Sequence, residues 1–153
     1  MKITICGSIA FYTDMEEIGR ALEAQGHEVK IPELPSDVVE VVGNKKMYFG
    51  EYIEKNGGID AFSPSHPLWD IKAKAIKEHY DKIEWCDAIV VVNNKKRGVE
   101  GYVGGNTLIE IGLAFYLKKP IYLLNPMSSE LSYKQEVLGM KPVLLNGDVS
   151  LVQ

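Results

Sequence analysis

One acidic residue interrupts the run Val103-Gly104-Gly105-Asn106-Thr107-Leu108-Ile109-Glu110-Ile111-Gly112-Leu113-Ala114, in which a glycine pair leads into an otherwise apolar helical pattern. Two chemistries fit Glu110. Thr107-Leu108-Ile109-Glu110 matches the S/T-x-x-E capping box, in which the glutamate reaches back to the cap residue's N–H. Alternatively, the aliphatic residues around it bury the start of the helix. There an ionised carboxylate survives only with help from helix-terminal N–H groups, partners or a ligand. Gly104 and Gly105 place no side chains in the way of a ligand, and Gly112 clears further space. A carboxylate held in this way can attack an electrophilic carbon or face a developing positive charge.

Other titratable groups are candidates to work beside it. In Lys77-Glu78-His79-Tyr80-Asp81-Lys82, His79 changes charge near neutral pH and Asp81 follows two residues later. The same stretch also reads as a solvated mixed-charge helix face. Asp87 opens an apolar strand, where it either binds backbone donors or contributes to a substrate contact. Cys6 and Cys86 lie at the edges of apolar segments with no second pair, which predicts small buried thiols rather than a disulfide, a metal site or nucleophiles. The base run Lys95-Lys96-Arg97 reads as a solvated loop.

The elements that must position these groups alternate. Lys2–Cys6, Glu28–Ile31, Asp87–Val92, Ile121–Leu124 and Pro142–Leu145 read as strands. Helical patterns cover about Thr13 to Gln25, Pro67 to Trp85, the stretch after Gly105, and Ser129 to Leu138. Strand–helix alternation with a continuous apolar run at Ala88–Val92 predicts a doubly wound α/β fold, a flavodoxin- or Rossmann-like, mostly parallel sheet of about five strands with helices on both faces. Ligands in such sheets bind beyond the carboxyl ends of the strands. That rule gathers the turns Gly7-Ser8-Ile9, Asn93 to Asn106, and Asn125-Pro126-Met127. The segment of about 33–65 fits no clean element. With Tyr48, Phe49, Tyr52 and Phe62 among glycines, it reads as a lid or dimer arm, or as a peripheral helix with loops.

The whole chain of 153 residues reads as a single domain with 46% hydrophobic and 25% charged residues, ordinary for a soluble globular protein. No membrane span and no leading signal segment is visible, which predicts a cytoplasmic protein. A formal net charge of −4 without a dense basic stripe points away from a nucleic-acid polymer and leaves a small-molecule partner open. No cofactor and no metal is called for.

Cys6-Gly7-Ser8-Ile9, the strand Asp87–Val92, and the glycine loop followed by Glu110-Ile111-Gly112-Leu113-Ala114 resemble the nucleoside 2-deoxyribosyltransferase family, including its deoxynucleoside 5′-monophosphate N-glycosidase members. The resemblance covers roughly residues 1 to 31 and 67 to 145. It implies that Glu110 is the nucleophile that attacks the anomeric carbon of a nucleoside or nucleotide, giving a glycosyl-enzyme intermediate that water or a second base resolves. The aspartate expected eight residues before Asp87 is His79 here, so the acid is His79, or Asp81 in a shifted register. Gly7, Ser8, Ile9, Gly104, Gly105 and Asn106 would shape the sugar or phosphate end, with Asp87 a further contact. Ser8 resembles a phosphate-contacting serine, but Ala10 stands where an arginine is expected; Ser128 or Ser129, a lysine or backbone amides are candidates to replace that contact. Asn125 and Met127 resemble an N-x-M that such transferases lend to a neighbouring subunit, which implies a homodimer or larger assembly. Two alternatives stay open: a cytokinin-type phosphoribohydrolase, whose PGGxGTxxE signature Val103–Glu110 keeps in part, and a nucleotide-binding sensor of the same fold without turnover.

Overall fold

The structure is a computed structural model that describes residues 1–33, 38–41 and 45–153. It divides into two compact units, Met1–Pro32 with Tyr80–Gln153, and Glu33–His79.

The first unit is built on β1 (Lys2–Gly7), α1 (Tyr12–Ala24), β2 (Glu28–Lys30), β5 (Ala88–Val92), α4 (Gly105–Tyr116), β6 (Ile121–Leu123), α5 (Lys134–Gly139) and β7 (Val143–Leu144). Its five strands pair in the order β2-β1-β5-β6-β7, every pair parallel. Numbered within this sheet alone the order is 2-1-3-4-5, that of the flavodoxin-like doubly wound fold. β5 is central and all five of its residues are buried, because alternate side chains enter different cores. Ala88, Val90 and Val92 join Ile3, Ile5, Met15 and Leu22 under α1, whereas Ile89 and Val91 join Cys6, Ile111, Ala114 and Val137 under α4 and α5. Helices therefore cover both faces. On α1 the buried residues Met15, Gly19 and Leu22 fall on one stripe, at the i, i+4, i+7 spacing of a helix face.

Helix α3 (Leu68–Trp85) ends in this unit. The Oγ of the fully buried Thr4 donates to Lys82 O at 2.7 Å, and Lys82 Nζ donates to Ile31 O at 3.0 Å. Trp85 lies beneath two ammonium groups, Lys30 Nζ at 3.9 Å and Lys2 Nζ at 5.3 Å from its ring centroid.

The second unit gives the segment that reads as irregular in sequence an organisation of its own. β3 (Val38–Val41) and β4 (Lys45–Tyr48) form an antiparallel pair, followed by α2 (Phe49–Lys55) and a 3₁₀ turn at Ile59–Ala61. Phe49 and Leu68 are buried, with Tyr52, Ile53, Phe62 and Trp69 packed on them. Trp69 lies 6.0 Å from Phe49 and 6.4 Å from Phe62 between ring centroids, and its indole N–H donates to Ser63 O at 2.8 Å. Residues 34–37 and 42–44 of the proposed lid or arm, and the side chain of Tyr48, lie outside the described residues.

Two elements depart from the sequence reading. Helix α5 starts at Lys134 rather than near Ser129, because Ser128 Oγ accepts the Glu130 N–H at 3.1 Å and holds the chain in a turn. Helix α4 starts at Gly105, ahead of Thr107. Among the described residues no helix is long and apolar enough to cross a membrane.

Two glycines make contrasting demands. Gly101 has φ +58°, and a Cβ there would lie 1.9 Å from the Pro126 carbonyl oxygen, where Ser128 N–H also donates to Glu100 O. A Cβ at Gly112 meets nothing within 4 Å among the described residues, so the clearance read into it is not needed. Gly101→Ala is expected to lower stability by about 1–3 kcal/mol. Gly112→Ala should raise it by about 0.5–1 kcal/mol. Urea midpoints at unchanged slope measure both.

Candidate functional site

The carboxyl ends of β1, β5 and β6 converge. At the end of β1, a Cβ on Gly7 would lie 2.7 Å from the Val92 carbonyl oxygen and 2.8 Å from Met15 Cε, so a residue without a side chain lets β1 stay against β5. Ser8 then caps the 3₁₀ turn Ile9–Phe11, its Oγ accepting the Ala10 N–H at 3.4 Å. Asn93, fully buried after β5, donates from Nδ2 to Asn125 O at 2.7 Å and accepts the Asn125 N–H on Oδ1 at 2.8 Å. It behaves as one more rung of the sheet. From Asn125 an amide chain continues, Nδ2 donating to Asn94 Oδ1 at 2.9 Å and Asn94 Nδ2 donating to Asp14 Oδ2 on α1 at 2.7 Å. An open cleft of about 420 Å³ beside this chain is lined by Asp14, Ile18, Asn94, Leu124, Asn125 and Val149 among others. It lies under α1 and Glu110 does not line it.

Glu110 is on the α4 side of the sheet. The cap of α4 is Gly104, in extended conformation and without a side-chain cap bond, and Leu108 N–H already donates to Gly104 O at 2.9 Å. Thr107 is therefore the third helical residue and is buried against the core at 2% exposure. Glu110 belongs to the second turn. The capping-box match does not operate, because the glycines that precede Thr107 start the helix before it can cap. Glu110 is half-buried, with a buried Oε2, and the Cys6 thiol donates a hydrogen bond to its carboxylate. Complete burial first, and then the charge of Glu110, push the Cys6 thiol well above its ordinary range, which keeps it protonated as the donor. Burial and then the same charge raise the Tyr80 phenol. Helix α4 is less enclosed than its composition suggests: Ile109, Phe115 and Tyr116 are exposed, because only the stripe Thr107, Ile111 and Ala114 faces the sheet.

The loop between β5 and α4 is organised around a tight hairpin. Lys96 and Val99 exchange backbone hydrogen bonds at 3.0 and 2.9 Å across Arg97 (φ +50°) and Gly98 (φ +80°), the positive-φ pair of a primed turn. Lys95 pairs with Glu100 at 2.9 Å in solvent, but Lys96 turns inward and its Nζ donates to Ser8 Oγ at 2.7 Å. The solvated-loop reading holds for Lys95 and Arg97 and fails for Lys96, whose direction is set by the turn. The Tyr133 hydroxyl ties α5 to this loop by donating to Val103 O.

The other sequence candidates lie at several places in the fold. Gly7, Ser8, Ile9 and Asn125 are at the carboxyl ends of β1 and β6; Gly104, Gly105 and Asn106 open α4, with Gly105 and Asn106 exposed. Met127 is buried in the core under α4 and α5, and Ser129 is exposed in the turn after it. Asp87 lies at the amino end of β5, where Oδ2 accepts the Lys2 N–H at 2.7 Å, the backbone-anchor role read from the sequence, at the opposite end of the sheet from the converging turns. On α3, His79 is buried at 7% exposure and Asp81 is exposed. Sequence reasoning missed Asp14, the Asn93–Asn94 pair, Lys96, and Cys6 as the partner of Glu110. Two asparagines directly after an all-apolar strand were the available signal, since polar groups at that end face ligands.

Fold and site together define a doubly wound parallel α/β protein with a thiol-held glutamate one helical turn beyond a glycine loop. No family model and no curated protein matches the chain. Among solved structures it is similar to a 2-deoxyribosyltransferase from Bacillus psychrosaccharolyticus, at 18% identity and TM-score 0.48 over 84% of this chain and 75% of that one. It is also similar to the Clostridium botulinum CMP N-glycosidase, at 19% identity and TM-score 0.48 over 94% and 84% of the two chains. A third is the 2-deoxyribosyltransferase from Leishmania mexicana, at 19% identity and TM-score 0.42 over 81% and 65%. These are enzymes of the kinds named by the sequence resemblance, and the likeness is one of fold.

The Cys6 environment carries a pH signature. Because the folded thiol has the higher pKa, the unfolded chain loses its proton first, and the stabilisation present below about pH 8.5 is lost as pH rises toward the folded value. Between pH 8.5 and 10, unfolding free energy should fall more steeply in the native chain than in Cys6→Ala, by on the order of 1 kcal/mol per pH unit. Parallel slopes in denaturant titrations would count against a buried neutral thiol.

Proposed function

We propose that the chain cleaves or exchanges the N-glycosidic bond of a nucleoside or nucleoside 5′-monophosphate, as a cytoplasmic enzyme of nucleotide metabolism. The observation that carries the reading is Glu110 itself. It is not a cap, it stands one turn beyond a glycine-led helix start, and a buried neutral thiol holds its carboxylate. A carboxylate that accepts from a neutral thiol loses no charge to that donor and stays a nucleophile toward an electron-poor carbon.

In the proposed reaction a Glu110 oxygen bonds to the anomeric carbon as the carbon–nitrogen bond breaks, and the departing electron pair goes to the base nitrogen. An acid protonates that base. Water then attacks the anomeric carbon, its proton passes to the conjugate base of the acid, and Glu110 is released; a second nucleobase in place of water gives transfer. The resemblance assigns the acid to His79 or Asp81. Burial of His79 and exposure of Asp81 favour His79, since a buried acid delivers its proton away from competing water. The resemblance also carries the homodimer or larger assembly.

Incubation with nucleosides and their 5′-monophosphates, with free base followed by chromatography and with or without an acceptor base, tests the reading. Glu110→Ala should reduce release by about 10³-fold or more. His79→Asn should reduce it by about 10²–10⁴-fold and remove a limb of the pH profile, while Asp81→Asn leaves it near native. Turnover that survives Glu110→Ala sinks the mechanism. Binding without release in the native chain points to a sensor, and release from ribonucleotides alone to the phosphoribohydrolase.

A further inference from the structure

We propose that the cleft under α1 is a second binding site, for a small organic cation in which a guanidine or amine is carried on an apolar stem. The site stands apart from the reaction proposed for Glu110, which does not line the cleft.

The cleft begins where the strands end. Asn94 follows β5, and Leu124 and Asn125 follow β6, so one wall is the carboxyl edge of the sheet, where open parallel sheets receive ligands. Asp14, Ile18 and Ala21 form the facing wall; their i, i+4, i+7 spacing puts them on one face of α1. The volume of about 420 Å³ falls within the range of roughly 300–1,000 Å³ that small-molecule pockets have. The polar groups left over in it are mainly acceptors. Asn125 Nδ2 donates to Asn94 Oδ1 at 2.9 Å and Asn94 Nδ2 to Asp14 Oδ2 at 2.7 Å, so the hydrogen bonds run one way and end on a carboxylate. Among the described residues, Asp14 Oδ1 and Asn125 Oδ1 have no hydrogen-bond partner, and the exposed Glu17 adds a second carboxylate. Neither carboxylate makes an ion pair among the described residues, and no lysine or arginine lines the cleft.

This lining selects by charge and by shape. Two carboxylates beside an amide oxygen call for a ligand rich in N–H donors, and an ammonium or guanidinium brings several together with a positive charge. Anions are repelled. Ile18, Ala21, Leu124 and Val149 give the stem of such a cation an apolar surface to cover. Asp14 is held before any ligand arrives, since Asn94 fixes one of its oxygens and is itself fixed by Asn125, which keeps the ordering cost of binding low. A bare metal ion is served less well. It needs several oxygens gathered around one point, and Asp14 and Glu17 belong to no cluster of three close ligand groups among the described residues.

Agmatine, n-butylammonium and neutral n-butanol, each titrated into the full chain by calorimetry, form the test. Agmatine, which joins a guanidinium and an ammonium by a butyl stem, should bind with a Kd of about 0.1–1 mM, n-butylammonium more weakly and n-butanol not at all. Asp14→Asn keeps a side chain of the same shape for Asn94 to hold and should weaken agmatine about 10-fold or more. Ala21→Phe, which fills the cleft without changing its charge, should do the same. Glu23→Gln removes an equal charge from an exposed position on α1 outside the cleft and should leave the Kd unchanged. Glu110→Ala should leave it unchanged too, so the site stands or falls separately from the proposed reaction. Thermal midpoints of the variants near native confirm that the fold is kept. No binding up to about 10 mM agmatine overturns the site. So do affinity kept in both Asp14→Asn and Ala21→Phe, equal losses in Glu23→Gln and Asp14→Asn, equal affinities for n-butylammonium and n-butanol, or loss of binding in Glu110→Ala. Displacement of agmatine by magnesium ion but not by sodium ion at equal ionic strength overturns the organic cation as its ligand.

Discussion

The close approach of β1 to β5 at their carboxyl ends is the constraint on which the rest of the site depends. Gly7 pairs with Val92 in the parallel ladder, and the space where its side chain would be is occupied by the Val92 carbonyl and the end of Met15. With the two strands held this tightly, one residue before Gly7 is Cys6, turned toward α4, and one residue after it is Ser8, at the mouth of the sheet. On the other strand the next residues are Asn93 and Asn94, which carry the hydrogen bonding across to β6 and α1. A bulkier residue at Gly7 would push apart the thiol, the hydroxyl and the amide chain together, even though none of them is its neighbour in chemical role.

The electrostatics of the site follow from where helix α4 begins. Had Thr107 been its cap, Glu110 would have been spent on a backbone N–H in the first turn. The glycines start the helix earlier, and this moves Glu110 into the second turn and beside the end of β1. Its partner there is a thiol that its own charge helps to keep neutral. A thiol donor orients a carboxylate without neutralising it, because the thiol itself carries no charge.

The sheet was legible in the sequence because buried parallel strands leave an unmistakable pattern: the run Ala88–Val92 has apolar residues for both faces, and helical patterns separate it from its neighbours. Glu110 was legible as an anomaly of composition. Its register was not, since a four-residue match cannot say whether a helix has already started. For Asp87 the sequence left two roles open, and the Lys2 N–H donated to its Oδ2 is the backbone contact that the anchor reading asks for. Lys96 was hidden among three cationic residues, because its inward direction depends on a turn with positive φ at Arg97, where side-chain type gives little warning. The segment 33–65 lacked periodicity because its core is a cluster of rings contributed from scattered positions rather than a stripe.

Trp69 and Trp85 are the chain's two tryptophans, and each reports on a different compact unit. Trp69 is wedged among Phe49, Phe62 and the Ser63 carbonyl, while Trp85 lies under the ammonium groups of Lys2 and Lys30. An indole in a ring cluster and an indole under cations have different electrostatic surroundings and so emit differently. The protein thus carries two intrinsic optical reporters, one in the surroundings of each unit, without any attached dye.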